Sequence, residues 1–310
     1  MNNTPVLVIG FNRPQLLSQL LSRLQSLNIK DIYVSLDGPR NFDDNEICQE
    51  CINIVKSFQD VFNLKLIYRS YNLGCALGVV SAVDWFFENV DFGAIIEDDC
   101  YPGENLFDFF EKFKINKLQF ESKNIKMATA HNPFSNSFRD VASNSILIHG
   151  WATWSENWKL IRNNYFKLNL PNLKNSTGEK RTFAESVYWW ANSTRARLGI
   201  IDTWDGMLND RVWRLGYKTL VPANNMIRNL GFGENATHTK DPNGSNLIQL
   251  PNFGKVNISI DQLLSEYYFK INNRHLLTSF IRVFIDLVKF KKTNFEKYLE
   301  LDKSQRVIFP

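Results

Sequence analysis

The chain has 310 residues, 44% hydrophobic and 22% charged, the balance of a globular protein with room for one large domain or a domain plus an appendage. Its formal net charge of +4 suits an anionic ligand, but the basic residues are scattered and fall far short of a nucleic-acid-binding density. No run reaches the ~20 apolar residues that span a bilayer, and the N-terminus lacks a cleavable signal pattern, so the expected compartment is the cytoplasm.

In chain order, Pro5 to Gly10 reads as a buried strand, and Asn12 as the N-cap of a helix opened by Arg13 and Pro14 and running to about Leu27. Asp31 to Asp37 is a second strand, ended by Gly38-Pro39. A helix follows from about Asp44 to Gln59, then a strand at Leu64 to Tyr68, a helix from about Leu77 to Val90, and a short buried strand at Gly93 to Ile96. This alternation predicts an α/β fold, a mostly parallel sheet with helices on both faces. Further on, strands are expected at Ile125 to Ala130, Ser145 to His149 and Tyr217 to Val221, with a helix at Asp205 to Leu215 stopped by Gly216. Gly231 to Gly244 has the composition of a loop, and the chain beyond about Gln262 reads as helical. Residues 1–240 are therefore expected to form one α/β domain and 241–310 a helical extension. Cys48 and Cys51 form a CxxC inside a helix, with no second CxxC or nearby His, and are expected to be buried packing.

Glu97-Asp98-Asp99 is the most informative tripeptide. It follows a buried run, so it sits at the carboxyl end of a strand, where open α/β sheets bind ligands. Three adjacent carboxylates repel one another unless a cation neutralises them, and hard divalent ions bridge carboxylates to substrate phosphates. The chemistry points to a diphosphate held by Mn2+ or Mg2+.

The segment GAIIEDDCYPGENLFDFFEKF resembles the metal-site segment of the N-acetylglucosaminyltransferase I group of GT-A glycosyltransferases. The likeness runs from about residue 4 to 240. PVLVIGFNRP resembles the group's opening strand with its Arg, YVSLDG a strand ending in an Asp that contacts uracil, NLGCALGVV an ALG-containing helix start, and GWATWSENW a Gly-Trp acceptor loop. TWDGMLNDRVWRLGYKTLVP is similar to a segment of bacterial inverting GT-A transferases. The resemblance implies a GT-A (Rossmann-like) fold and Asp99 as the direct metal ligand. Asp98 and Glu97 would contact the donor sugar, Asp37 the base, and Arg13 the nucleotide or its phosphates. Asn72 falls where the eukaryotic group has a His near the donor sugar. The implied donor is a UDP-sugar carrying GlcNAc or a related hexose. The implied acceptor is a glycan or lipid-linked glycan in bacterial surface polysaccharide synthesis.

Inverting transfer needs a carboxylate to take the acceptor hydroxyl's proton. Asp205, at a helix start beside Trp204, is the candidate; Asp202 and Asp210 are rivals, Asp210 being expected to face solvent. Seven of the eight Trp residues lie between Trp151 and Trp213. Sugar rings pack on aromatic faces, so Trp151, Trp154 and Trp204 are candidate acceptor contacts, although Trp is also common in cores. His238, in the polar loop, is a candidate for the metal or a phosphate; His131 and His149 read as strand-end residues. Leu276 to Phe290 is too short and too charged to span a membrane. It is expected to pack on the domain or on a dimer partner, or to lie on an anionic membrane surface at the inner face. Two other readings stand beside the transferase: a sugar-phosphate nucleotidyltransferase, and a glycan-binding module on a decayed transferase fold.

Overall fold

The strands β1 (Val6–Gly10), β2 (Asp31–Leu36) and β4 (Phe92–Glu97) are apolar and buried almost throughout, as strands covered on both faces must be. The other strands of the same sheet are β3 (Asn63–Tyr68), β6 (Ile125–Thr129), β7 (Val141–Ser143), β8 (Trp151–Trp154), β9 (Lys218–Val221) and β11 (Val307–Phe309). A computed structural model describes residues 4–133, 139–231 and 295–309, with positions 283, 285 and 286. The sheet runs β11-β3-β2-β1-β4-β8-β6-β9-β7. Strands β3, β2, β1, β4, β6 and β9 all point the same way, while β11, β8 and β7 oppose them. A separate ribbon pairs β5 (Cys100–Pro102) with β10 (Ile227–Asn229).

The pleat sends alternate residues of β1 to opposite cores. Val6 and Val8 pack with Leu17, Leu20, Leu21 and Leu24 of α1 (Pro14–Ser26). That face also carries α2 (Asp44–Ser57) and α4 (Leu106–Ile115). Leu7 and Ile95 pack on the other face, against α3 (Gly74–Asn89), α6 (Ser155–Arg162), α8 (Asp205–Arg214) and α9 (Phe295–Gln305). The short α5 (Lys117–Glu121) follows α4, and α7 (Phe183–Arg197) packs on α8. The α/β class, with helices on both faces, is as the alternation predicts. Cys48 and Cys51 are buried in α2, as expected.

The expected strand at Ser145 to His149 does not form. The Asn209 side chain bonds both the N–H and the C=O of Ile146, and Thr129 Oγ1 donates to Leu147 O, so side chains satisfy this backbone in place of a ladder. Gly150, with φ of +68°, then turns the chain into β8. Asn12 does not cap α1: Arg13 occupies the cap position, and Asn12 Nδ2 donates to Asp44 Oδ1 at 3.1 Å, tying the β1–α1 turn to α2.

The C-terminal helix is present as α9, but the sheet does not end near residue 240. The chain returns after α9 to add β11 to the edge at β3, because the β-prone apolar tail Val307–Phe309 finds free backbone groups there. Asp302, fully buried, pairs with the equally buried Arg69 at 2.5 Å and receives bonds from Tyr71 and Ser81. Arg69 also donates to Ser35 Oγ and Leu36 O, so this end of the chain is built into the domain. Of the stretch Leu276 to Phe290, Val283 packs on Trp190 and Ala191, and Asp286 accepts from Arg195 at 3.1 Å; the rest lies outside the described residues. No helix among the described residues is long and apolar enough to cross a membrane.

Candidate functional site

β1 continues outward to β2 and β3 on one side, and the chain returns to place β4 on β1's other side. Their diverging connections open a crevice at the carboxyl ends, the place where open α/β sheets take ligands. A cavity of about 520 Å³ occupies it, within the size range of small-molecule sites. Among the described residues its wall includes Arg13 after β1, Asp37 after β2, Glu97 and Asp99 at the end of β4, and Asp205 at the start of α8. Residues from four segments far apart in sequence therefore meet because their strands and helix end at one edge.

The carboxylates of β4 are not equivalent. Glu97 follows Ile95 by two residues and shares its face of the sheet. Burial pushes its carboxyl up to about 8, with the Asp99 and Asp98 charges adding to the shift. Asp98 is buried and does not line the cavity; burial raises it to about 6 against the opposing pull of Arg13. Arg13 holds both aspartates, bonding Asp98 Oδ1 and reaching Asp99 Oδ2 at 2.9 Å. Leu230 N–H donates to Asp99 O at 2.7 Å, and Gly231 lies so close that an added Cβ would fall 2.3 Å from Asp99 Oδ2.

The expected metal fits this donor set in one form only. No cluster of three or more His, Cys, Asp or Glu among the described residues could cage an ion. A hard divalent ion held through Asp99, beside Glu97, with substrate oxygens completing its shell, suits the carboxylates that face the cavity. His238 lies outside the described residues.

Asp37 and Asn72 reach the cavity wall but are committed to the backbone. Asp37 accepts the amides of Gly38, Leu73 and Gly74 and the Asn72 side-chain amide, all within 3.2 Å. Asn72 bonds Asp37, Gly38 O and Gly74 N–H. The first amides of a helix lack intrahelical partners, and Asp37 fills that need for α3. Burial pushes the Asp37 carboxyl up to about 6 despite these bonds.

Among the three candidate bases, the structure separates the roles. Asp202 spends both oxygens on the N–H groups of Cys75 and Ala76, at 2.8 Å each. Asp210 does not face solvent: it is 3% exposed and pairs with Arg197 and Arg214, each at 2.8 Å, because α7 lies over that face of α8. Asp205 lines the cavity, and Thr203 Oγ1 bonds its Oδ1.

The aromatic expectation needs correction. Trp151 and Trp154 are 1% and 5% exposed on opposite faces of β8, each packed in one of the two cores, and neither lines the cavity. A hydrophobic core covers each face of β8, so neither ring is free to stack on a sugar. Trp204 is also buried, against Trp151, but it does border the cavity.

Sequence reasoning passed over Arg40, Arg69 and His149, all on the cavity wall. Arg40 lies over the Phe11 ring and pairs with Asp44 at 2.7 Å. His149 faces His131, Nδ1 to Nδ1, at 3.2 Å. His131 follows β6 and His149 precedes the Gly150 turn into β8, and in sequence both read only as strand-end residues.

No family model matches the chain, and no curated protein matches it. The resemblance to the N-acetylglucosaminyltransferase I group rests on the motifs alone. Among solved structures, a Bacillus anthracis protein assigned as a glucose-1-phosphate thymidylyltransferase is similar over 81% of this chain and 98% of its own, at 11% identity and a TM-score of 0.41. An apo UDP-glucose pyrophosphorylase is similar over 78% and 97%, at 6% identity and 0.38. The bifunctional glycosyltransferase WbbM is similar over 68% of this chain and 37% of its own, at 12% identity and 0.31. With so few shared residues, none of the three lends a residue assignment to this chain.

Proposed function

We propose that the chain is a metal-dependent, inverting glycosyltransferase of the GT-A kind, passing a sugar from a UDP-sugar to a glycan acceptor. The observation that carries this reading is the meeting of Asp99, Glu97, Arg13 and Asp205 on one cavity at the carboxyl edge of the sheet. Asp205 takes the proton of the acceptor hydroxyl as that oxygen attacks the anomeric carbon. The new C–O bond forms opposite the bond to the diphosphate oxygen, which breaks and leaves with its electron pair. A bound Mn2+ or Mg2+, held through Asp99, supplies positive charge for the departing diphosphate. Arg13, which also holds Asp99, is a cation on the same wall and would face that charge, and Glu97 would adjoin the donor sugar. GlcNAc or a related hexose, and an acceptor in bacterial surface polysaccharide synthesis, follow from the motif resemblance.

The nucleotidyltransferase reading needs a phosphate-cradling loop after β1. Phe11-Asn12-Arg13 has no glycine, and Pro14, which has no N–H, opens the helix. A glycan-binding module would need exposed rings, and those of Trp151, Trp154 and Trp204 are buried.

Melting curves with UDP, GDP, CMP and dTDP, with and without Mn2+, test the donor site. A ligand at ~100 times its dissociation constant adds about 2.7 kcal/mol. Stabilisation by UDP that requires the metal is expected, and Asp205→Asn should abolish transfer while leaving that shift intact. If no nucleotide stabilises the protein, the proposal fails.

A further inference from the structure

We propose that His149 donates a hydrogen bond from Nε2 to an oxygen of the donor beyond its α-phosphate, with His131 as the positioning residue that fixes its tautomer. This inference rests on the UDP-sugar reading above. His149 is half-buried on the wall that also carries Asp99 and Asp205, the carboxylates flanking the bond to be broken in that reading. Its Nδ1 lies 3.2 Å from Nδ1 of His131, with the ring centroids 4.9 Å apart and the planes tilted by 35°. A contact between two ring nitrogens is a hydrogen bond only if one carries a proton and the other does not. With Nδ1 committed to His131, Nε2 is the nitrogen left for the cavity.

The electrostatics choose the tautomer. His131 is 7% exposed, and burial, helped by His149, pushes its imidazole down to about 3, so it is neutral at ordinary pH. Burial lowers His149 too, while Asp99 and Asp205 pull the other way. A neutral imidazole beside two carboxylates is more stable with its N–H turned toward them than with its lone pair. His131 therefore donates from Nδ1 to Nδ1 of His149, and His149 carries its proton on Nε2. A fixed, uncharged N–H facing an acidic cavity suits an oxygen that stays rich in electrons throughout transfer: a β-phosphate oxygen or a hydroxyl of the donor sugar.

The test compares melting shifts with UMP, UDP and UDP-GlcNAc, each with Mn2+, in wild type, His149→Ala, His149→Gln and His131→Phe. Removing a hydrogen bond to a charged oxygen should weaken binding about 10- to 100-fold. In His149→Ala the UMP shift is expected to stay, while affinity for UDP or for UDP-GlcNAc falls by that factor. A loss already seen with UDP assigns the β-phosphate, and a loss confined to UDP-GlcNAc assigns the sugar. His149→Gln, which keeps an N–H near the same place, should recover part of the loss. His131→Phe should lose less than His149→Ala and should let the His149 proton spread onto Nδ1, read in 15N-histidine-labelled protein as the protonated and bare nitrogen signals exchanging places; a purely structural role would leave Nε2 the protonated nitrogen. Equal affinities for all three ligands in wild type and His149→Ala overturn the inference, as does an equal loss with UMP. A wild type that no uridine nucleotide stabilises overturns the parent reading, and this one with it.

Discussion

Asp202 caps α3 from far along the chain, its two carboxylate oxygens each accepting a helix amide, from Cys75 and from Ala76. Gly74, with φ of +79°, makes room: an added Cβ would lie 2.6 Å from Asp202 Oδ2. Because Asp202 stands three residues before Asp205, the cap also pins the turn that carries the proposed base. Asp202→Ala should lower stability by about 1–2 kcal/mol, the upper range for a lost cap, and Asp202→Asn by less. Transfer should fall in Asp202→Ala with the UDP-dependent melting shift retained. Unchanged turnover would mean that the cap and the base are independent.

The Arg69–Asp302 pair is enclosed, with both side chains at 0% exposure. Removing one partner from such a pair leaves a buried charge and typically costs about 3–5 kcal/mol. Asp302→Ala should lose about that much in a urea titration. The double variant Arg69→Met/Asp302→Leu should recover most of it, since two apolar side chains leave no charge unpaired. A loss under 1 kcal/mol in Asp302→Ala would mean that water reaches Arg69.

Asp99 is the carboxylate assigned to the metal. In Asp99→Asn the stabilisation by UDP with Mn2+ should vanish at ligand concentrations giving wild type about 2.7 kcal/mol. Arg13 would keep its bond to Asp98, so the unliganded protein should melt near the wild-type temperature. A metal-dependent shift that survives would move the ion to Glu97.

Glu97 makes the unliganded protein pH-sensitive in a definite direction. A carboxyl whose folded value, about 8, exceeds its ordinary value of 4.5 takes up protons on folding. Its contribution to stability is therefore present below about 4.5 and is lost as pH rises toward 8. Glu97→Gln replaces the neutral acid with an uncharged amide. Its melting temperature should match wild type near pH 4.5 and exceed it at pH 8 and above. A wild type that is the more stable at pH 8 would mean that the folded protein favours the ionised carboxylate.

The sheet was legible where sequence pattern and burial coincide. The runs at Val6, Ile32 and Ala94 and the periodic leucines of α1 admit few other arrangements. Glu97, Asp99 and Asp205 were placed at element ends by the pattern of runs, whereas Arg13 entered the expected site only through the motif resemblance. What escaped was contact between distant segments. Nothing local marks Asn209 as the partner of Ile146, Asp302 as the partner of Arg69, or Asp202 as a cap for α3. The tryptophans misled because a ring suited to a sugar is equally suited to a core, and both faces of β8 are covered. Asp37 shows the same limit: a carboxylate after a strand can face a ligand, yet here helix amides take it up.

The position of β11 sets an order of events during synthesis. Residues 307–309 pair with β3, whose own sequence ends at residue 68. A nascent chain can assemble β1 to β4 long before β11 emerges from the ribosome. Until then the β3 edge is open to foreign strands, and Arg69 lacks its carboxylate. Folding intermediates of this protein should be most prone to aggregate along that edge, and a peptide spanning residues 295–309 supplied in trans would be the natural agent to protect them.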